Sequence, residues 1–101
     1  MRVISRARIR ECWEKHPEAE NTLKKWYKVV ENASWNSFSD IRKTFNSADW
    51  IHINNKEVCV FNVGGNTIRL IAAIHFNTST VYIRAVLTHS EYDKQNWKNL
   101  I

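Results

Sequence analysis

Cysteine is scarce in this chain. Cys12 and Cys59 are the two present, and they have neither metal-ligand spacing nor a CxxC arrangement. So small a number fits a reduced cytosolic chain better than a disulfide scaffold. Long apolar runs are missing too. None approaches the roughly 18 residues that span a membrane, and Met1-Arg2-Val3-Ile4-Ser5-Arg6 lacks the apolar core of a signal peptide. The expected location is therefore the cytoplasm, with no membrane partner. Glycine occurs twice and proline once, so turn signals are few. There are no internal repeats, low-complexity segments or linkers. No cluster of residues has metal-ligand spacing, so metal-assisted hydrolysis finds no support and no cofactor is implied.

What is present is a single domain, 1–101, too short for two independent cores. With 44% apolar and 12% aromatic residues, the composition is that of a folded protein rather than a disordered one. The net charge is +5 and the pI about 9.5. That excess favours a polyanionic partner, and nucleic acid is the commonest.

Helical spacing dominates the first half. Arg2 to Ile4 reads as a short strand, and Ser5 as the N-cap of a helix. Ile9, Cys12, Trp13 and His16 then recur on one face, with Arg6, Arg10 and Glu14 facing solvent. Pro17 ends this helix. A second runs from about Glu18 to Ala33. Ala19, Leu23, Trp26 and Val30 form its apolar stripe, and Lys24, Lys25 and Lys28 crowd another face. The pair forms an αα-hairpin. Ser34 to Phe38 is a connection, and a short helix spans Ser39 to Phe45.

The period then changes to two. Trp50–Ile53, Glu57–Val63, Thr67–Phe76 and Val81–Leu87 are the expected strands. Asn54-Asn55-Lys56, Gly64-Gly65-Asn66 and Asn77-Thr78-Ser79 are the turns between them. A final helix starts at Thr88 and carries Trp97 and Leu100 near its end. Helices followed by an antiparallel meander make an α+β domain.

Alternation sorts the last two strands into faces. Ile68, Leu70, Ala72, Ile74 and Phe76, with Val81, Ile83, Ala85 and Leu87, form the core under the helices. The opposite face holds Thr67, Arg69, Ile71, Ala73 and His75 beside Tyr82, Arg84, Val86 and Thr88. If both core sets coincide, Arg69 and Arg84 come within diagonal cross-strand reach. Two guanidiniums on one concave surface suit a phosphodiester backbone. The plainer reading of Arg84 is a surface arginine stacked on Tyr82 or paired with a loop acid. His75 lies roughly 20 Å along the strand from Arg69 and reads as an ordinary exposed histidine, as do His16 and His52.

Val81–Leu87 runs directly into Thr88-His89-Ser90-Glu91-Tyr92-Asp93. Thr88 and Glu91 match a capping box, which by itself accounts for both. His89 and Tyr92 are not needed for capping, and they share a helix face. Asp93, four beyond His89, can orient its imidazole. Histidine exchanges protons near neutral pH. Tyrosine does so only if cations such as Arg69 and Arg84 lower its pKa; the alternative for Tyr92 is a half-buried aromatic anchor. A helix N-terminus beside an arginine-bearing strand is a site for phosphate.

Phe61-Asn62-Val63-Gly64-Gly65-Asn66-x-x-Arg69, then Tyr82-Ile83-Arg84 and Thr88-His89-x-Glu91-Tyr92-Asp93, resembles the HigB family of bacterial type II toxins. Val3-Ile4-Ser5, Trp13-Glu14-Lys15-His16-Pro17, Trp26-Tyr27 and Ala48-Asp49 fall in the same register. The resemblance implies a RelE-like fold, with an N-terminal helical hairpin on one face of a curved antiparallel sheet, RNA on the other, and a short C-terminal helix. It implies an mRNA interferase, a ribosome-dependent endoribonuclease that inhibits translation by metal-independent RNA cleavage. The implied partners are mRNA, the ribosome and a HigA-type helix-turn-helix antitoxin, with operator DNA reached only through the antitoxin complex. On that chemistry Arg69 and Arg84 stabilise charge, His89 and Tyr92 are the acid–base pair in either order, and Asp93 orients. Tyr82 joins the two arginines in binding RNA. The competing readings are a non-enzymatic RNA- or ribosome-binding module and a toxin-like protein that acts on a protein such as gyrase.

Overall fold

A left-handed pair closes each of two hairpins of the sheet. Asn54 and Asn55 have φ of 51° and 63°, and Gly64 and Gly65 have φ of 66° and 70°, the conformation that tight hairpin turns require. A Cβ on Gly64 would also approach the Thr22 side chain to 3.3 Å, so this tip packs on a helix. The computed structural model describes residues 1–65 and 67–99. Asn66 of the expected turn and Leu100 of the expected last helix lie outside the described residues.

The element order is β1 (Arg2–Ile4), α1 (Ala7–Lys15), a 3-10 turn (Pro17–Ala19), α2 (Glu20–Glu31), α3 (Phe38–Thr44), β2 (Asp49–Ile53), β3 (Lys56–Val63), β4 (Ile68–His75), a 3-10 turn (Phe76–Thr78), β5 (Thr80–Thr88), α4 (His89–Asp93) and a 3-10 turn (Asn96–Asn99). The strands lie in the order β1-β5-β4-β3-β2. β1 pairs in parallel with β5, and the other pairs are antiparallel. This is the α+β architecture expected of a RelE-like domain.

Ser5 is not a side-chain cap. Its φ is 72° and no side-chain bond reaches the helix, which begins at Ala7. A left-handed residue there turns the chain out of the sheet after three residues of strand. The apolar stripes of the hairpin behave as expected: Ile9 and Cys12 of α1 and Leu23, Trp26 and Val30 of α2 are buried against the sheet. Phe61 on β3 is the hub. Trp26, Phe45 and Trp35 surround it at ring-centroid distances of 5.3, 5.4 and 6.2 Å. Cys59 lies in the same core, and burial pushes its thiol up to about 12.

The strict alternation expected for β5 fails at one point. Ile71 pairs with Ala85 but Ala72 pairs with Ile83, so Arg84 is the extra residue of a β-bulge. Beyond it every side chain changes face. Val86 joins the main core, whereas Ala85 and Leu87 pack with a second cluster on the opposite face. That cluster consists of Val58, Val60, Ile71 and Trp97, with Ile51, Ile53, Ala85, Leu87 and Tyr92 around it. The second face is therefore not simply open. The segment after α4 folds back and lays Trp97 on it, and the Asn54 side-chain amide donates to the Lys98 carbonyl at 3.0 Å.

Candidate active site

Strand β4 carries Arg69 on the second face, directly opposite Asn62 of β3 and Leu87 of β5. Its flanks are apolar, so a long cationic side chain is drawn down with them and Arg69 is only 9% exposed. The guanidinium lies over the Tyr92 ring at 5.7 Å, and its Nη2 is 3.2 Å from His89 Nδ1. Thus β4 and α4 bring Arg69, His89 and Tyr92 to one place.

The capping box sets the start of α4. Thr88 Oγ1 accepts from the Glu91 N–H at 3.2 Å, and a Glu91 carboxylate oxygen accepts from the Thr88 N–H at 2.8 Å. These bonds hold the Glu91 carboxyl below its ordinary value. The His89 N–H donates to the Thr67 carbonyl at 3.1 Å. The free N–H groups expected for phosphate are thus partly consumed by the cap and the neighbouring loop. Positive charge at the site comes mainly from Arg69.

One turn of α4 places Asp93 under the imidazole, with Oδ2 3.1 Å from His89 Nε2. A guanidinium has donors and no acceptor. If Arg69 bonds to Nδ1, that nitrogen carries the lone pair. The proton then sits on Nε2 and points at Asp93. The His89 side chain is nevertheless 52% exposed, so a substrate can reach it.

Tyr92 is half-buried. Burial raises its phenol pKa first, and Asp49 and Asp93 add to the effect against the lowering pull of Arg69. The sequence suggested that nearby arginines would lower it, but the apolar cluster outweighs them. The group is a phenol at neutral pH, a donor rather than a base. Its anchoring contacts are also real, since the ring stacks on Trp97 at 5.2 Å.

Arg84 sits elsewhere. The bulge puts it three residues from Leu87, the partner of Arg69, or roughly 10 Å along the strand. It is exposed and lies over the Tyr82 ring at 5.7 Å. The diagonal pairing of two arginines expected from uninterrupted alternation does not form. Arg84 lines a cleft of about 460 Å³ with Lys15, His16 and Glu91. His75 meets Tyr82 edge-on at 5.0 Å. Among the described residues no group of His, Cys, Asp and Glu could hold a metal ion.

Two residues of this neighbourhood entered the sequence reading only as parts of the family motifs, with no role at the site. Asn62 faces the same side as Arg69, and Asp49 acts on the Tyr92 phenol across the sheet. Period-two counting from Val58 and Ile51 would have placed both, but only the strand order makes them neighbours of the site.

Comparison with known proteins agrees with this architecture. Residues 19–95 match the family described as HigB_toxin, RelE-like toxic component of a toxin-antitoxin system. The chain is 33% identical over 94 residues to a protein named mRNA interferase HigB from Escherichia coli O6:H1, covering 93% of this chain and 90% of that one. It is 31% identical over 93 residues to the mRNA interferase toxin HigB of Escherichia coli K12, covering 92% and 88%.

Proposed function

The chain belongs to the HigB family of RelE-like toxins, and on that premise we propose that it is a cytoplasmic, ribosome-dependent mRNA endonuclease acting without a metal. The observation that carries the reading is the relay Arg69–His89–Asp93. Nη2 to Nδ1 is 3.2 Å and Nε2 to Oδ2 is 3.1 Å, with Tyr92 beneath the guanidinium. The relatives' names, mRNA interferase, give the substrate class.

The reaction is an in-line transfer. The RNA 2′-OH attacks the adjacent phosphorus, and His89 Nδ1 takes its proton. Arg69 stabilises the extra negative charge of the phosphorane. The Tyr92 phenol donates to the departing 5′ oxygen, since its pKa is raised and it keeps its proton. The products are a 2′,3′-cyclic phosphate and a 5′-hydroxyl. Asp93 holds the imidazole in the tautomer that leaves Nδ1 basic. No step needs a metal, because side chains supply both proton transfers and the cation. Further along β5, Arg84 and Tyr82 would bind the RNA strand by charge and stacking. A HigA-type antitoxin with a helix-turn-helix domain would neutralise the toxin and carry the complex to operator DNA.

The test is inducible expression in bacteria, with growth followed and the 5′ ends of a reporter mRNA mapped with and without its start codon. Growth arrest with new ends only in the translated message supports the proposal. Arrest with intact transcripts counts against it and favours a protein target or a purely binding role. Cuts in both messages remove ribosome dependence.

A further inference from the structure

The Arg69–His89 contact has a second meaning in the protein without RNA. A neutral imidazole has one lone pair. Here that pair, on Nδ1, lies 3.2 Å from a guanidinium nitrogen, and the other nitrogen lies 3.1 Å from Asp93 Oδ2. Both ring nitrogens are engaged even though the side chain is 52% exposed. About half of the side chain faces solvent, while the nitrogen that carries the lone pair lies against Arg69. The cover is the arginine at the site, and an arginine fork prefers a phosphate to an imidazole nitrogen, because the former pairs two charges.

We infer that Arg69 masks the Nδ1 lone pair of His89 in the free protein, and that phosphate binding at Arg69 uncovers it. His89 is then a base only when a phosphodiester occupies the site. A 2′-OH next to that phosphate arrives where the lone pair has just been released. Arg69 thus acts as a positioning residue for His89 as well as a charge donor. The masking rests on the geometry of the free protein, whereas its catalytic meaning rests on the nuclease reading above.

The masking has a chemical signature. Diethylpyrocarbonate is attacked at a carbonyl carbon by an imidazole lone pair; the ring nitrogen gains the carbethoxyl group and ethyl carbonate leaves. Rates can be read at each histidine by peptide mass mapping of the intact chain. His16 is a useful internal standard. Its side chain is 37% exposed, less than His89, its Nδ1 lies 3.7 Å from Glu18, and Glu91 acts on it across the cleft they both line. If exposure governs, His89 reacts faster than His16.

The masking predicts the reverse order, with His89 several-fold slower than His16. Arg69→Gln, checked for folding by circular dichroism, should raise the His89 rate several-fold and leave His16 unchanged. Inorganic phosphate should raise the His89 rate relative to His52 in the unmodified sequence. A wild-type His89 at least as fast as His16 overturns the masking, whether or not the variant folds. A ratio to His52 that stays flat or falls with phosphate overturns the release. Neither outcome depends on RNA cleavage, so the nuclease reading can fail while this inference stands, and the reverse.

Discussion

Trp97 and Tyr92 are locked together twice. Their rings stack at 5.2 Å with 15° between planes, and the indole N–H of Trp97 donates to the Tyr92 carbonyl at 3.1 Å. Trp97 is 3% exposed and is the only residue of its 3-10 turn within the second cluster. The segment after α4 is therefore what holds the phenol in place under Arg69.

Trp97→Ala should cost about 3 kcal/mol or more, as for other buried aromatic truncations. Trp97→Phe keeps a ring but loses the donated bond, and should cost less. Chemical denaturation measures both. Both variants should slow cleavage by loosening Tyr92. Full activity in a folded Trp97→Ala protein would mean that Tyr92 placement does not matter.

Tyr92 is expected to act as an acid across the physiological range. Its pKa is raised, chiefly by burial and then by Asp49. The phenol therefore stays protonated in the folded protein beyond the ordinary value of about 10. The stabilisation from burying it neutral is complete below that pH and is lost as pH rises through the higher folded value. In a pH–rate profile, no alkaline limb assignable to Tyr92 should appear below about pH 10. A limb near neutrality that disappears in Tyr92→Phe would show a lowered pKa and reverse the acid assignment.

The cap of α4 should be sensitive to acid. Glu91 has its pKa lowered, first by the backbone bond from Thr88. Its contribution is present above the unfolded glutamate value of about 4.3 and disappears as pH falls through the folded value. Amide exchange at Thr88 and Glu91 should accelerate over that interval before the core strands open. Thr88→Ala should cost about 1 kcal/mol, and Glu91→Ala, which removes the titrating carboxylate, should abolish that acid step. An identical exchange profile in Glu91→Ala would show that the box does not govern the helix start.

Arg69 and Arg84 should differ in what they do for RNA. Each removal lowers affinity and flattens the salt dependence, by a slope change of about one for a lost phosphate contact. Arg69→Ala should also reduce cleavage of bound RNA, since it sits against His89. Arg84→Ala should leave the bound-state cleavage rate close to unchanged, because its guanidinium lies over Tyr82. Fluorescence anisotropy across a salt series, followed by single-turnover cleavage, separates the two. An unchanged salt slope for both variants would place RNA on a different surface.

The chain's own pattern determined much of this protein. Leu23, Trp26 and Val30 recur at helical spacing because a helix must bury one stripe, and they are buried. Paired asparagines and paired glycines marked the turns, since few other residues adopt a left-handed backbone cheaply. Thr88 and Glu91 announced a capping box because its partners are only three residues apart, and both bonds form. Local chemistry of this kind can be read from neighbours in sequence.

Tertiary structure decided the rest. One inserted residue at Arg84 reverses the faces of Ala85, Val86 and Leu87, and nothing in the composition of β5 marks a bulge. The folding back of Trp97 turned an expected open face into a second small core, which in turn raises the Tyr92 pKa. The approach of Arg69 to His89 spans 20 residues of chain and depends on β4 and β5 pairing in one register. Such placements are set by strand register and by which apolar surface wins cover from water. Those are properties of the assembled sheet, not of any segment of the sequence alone.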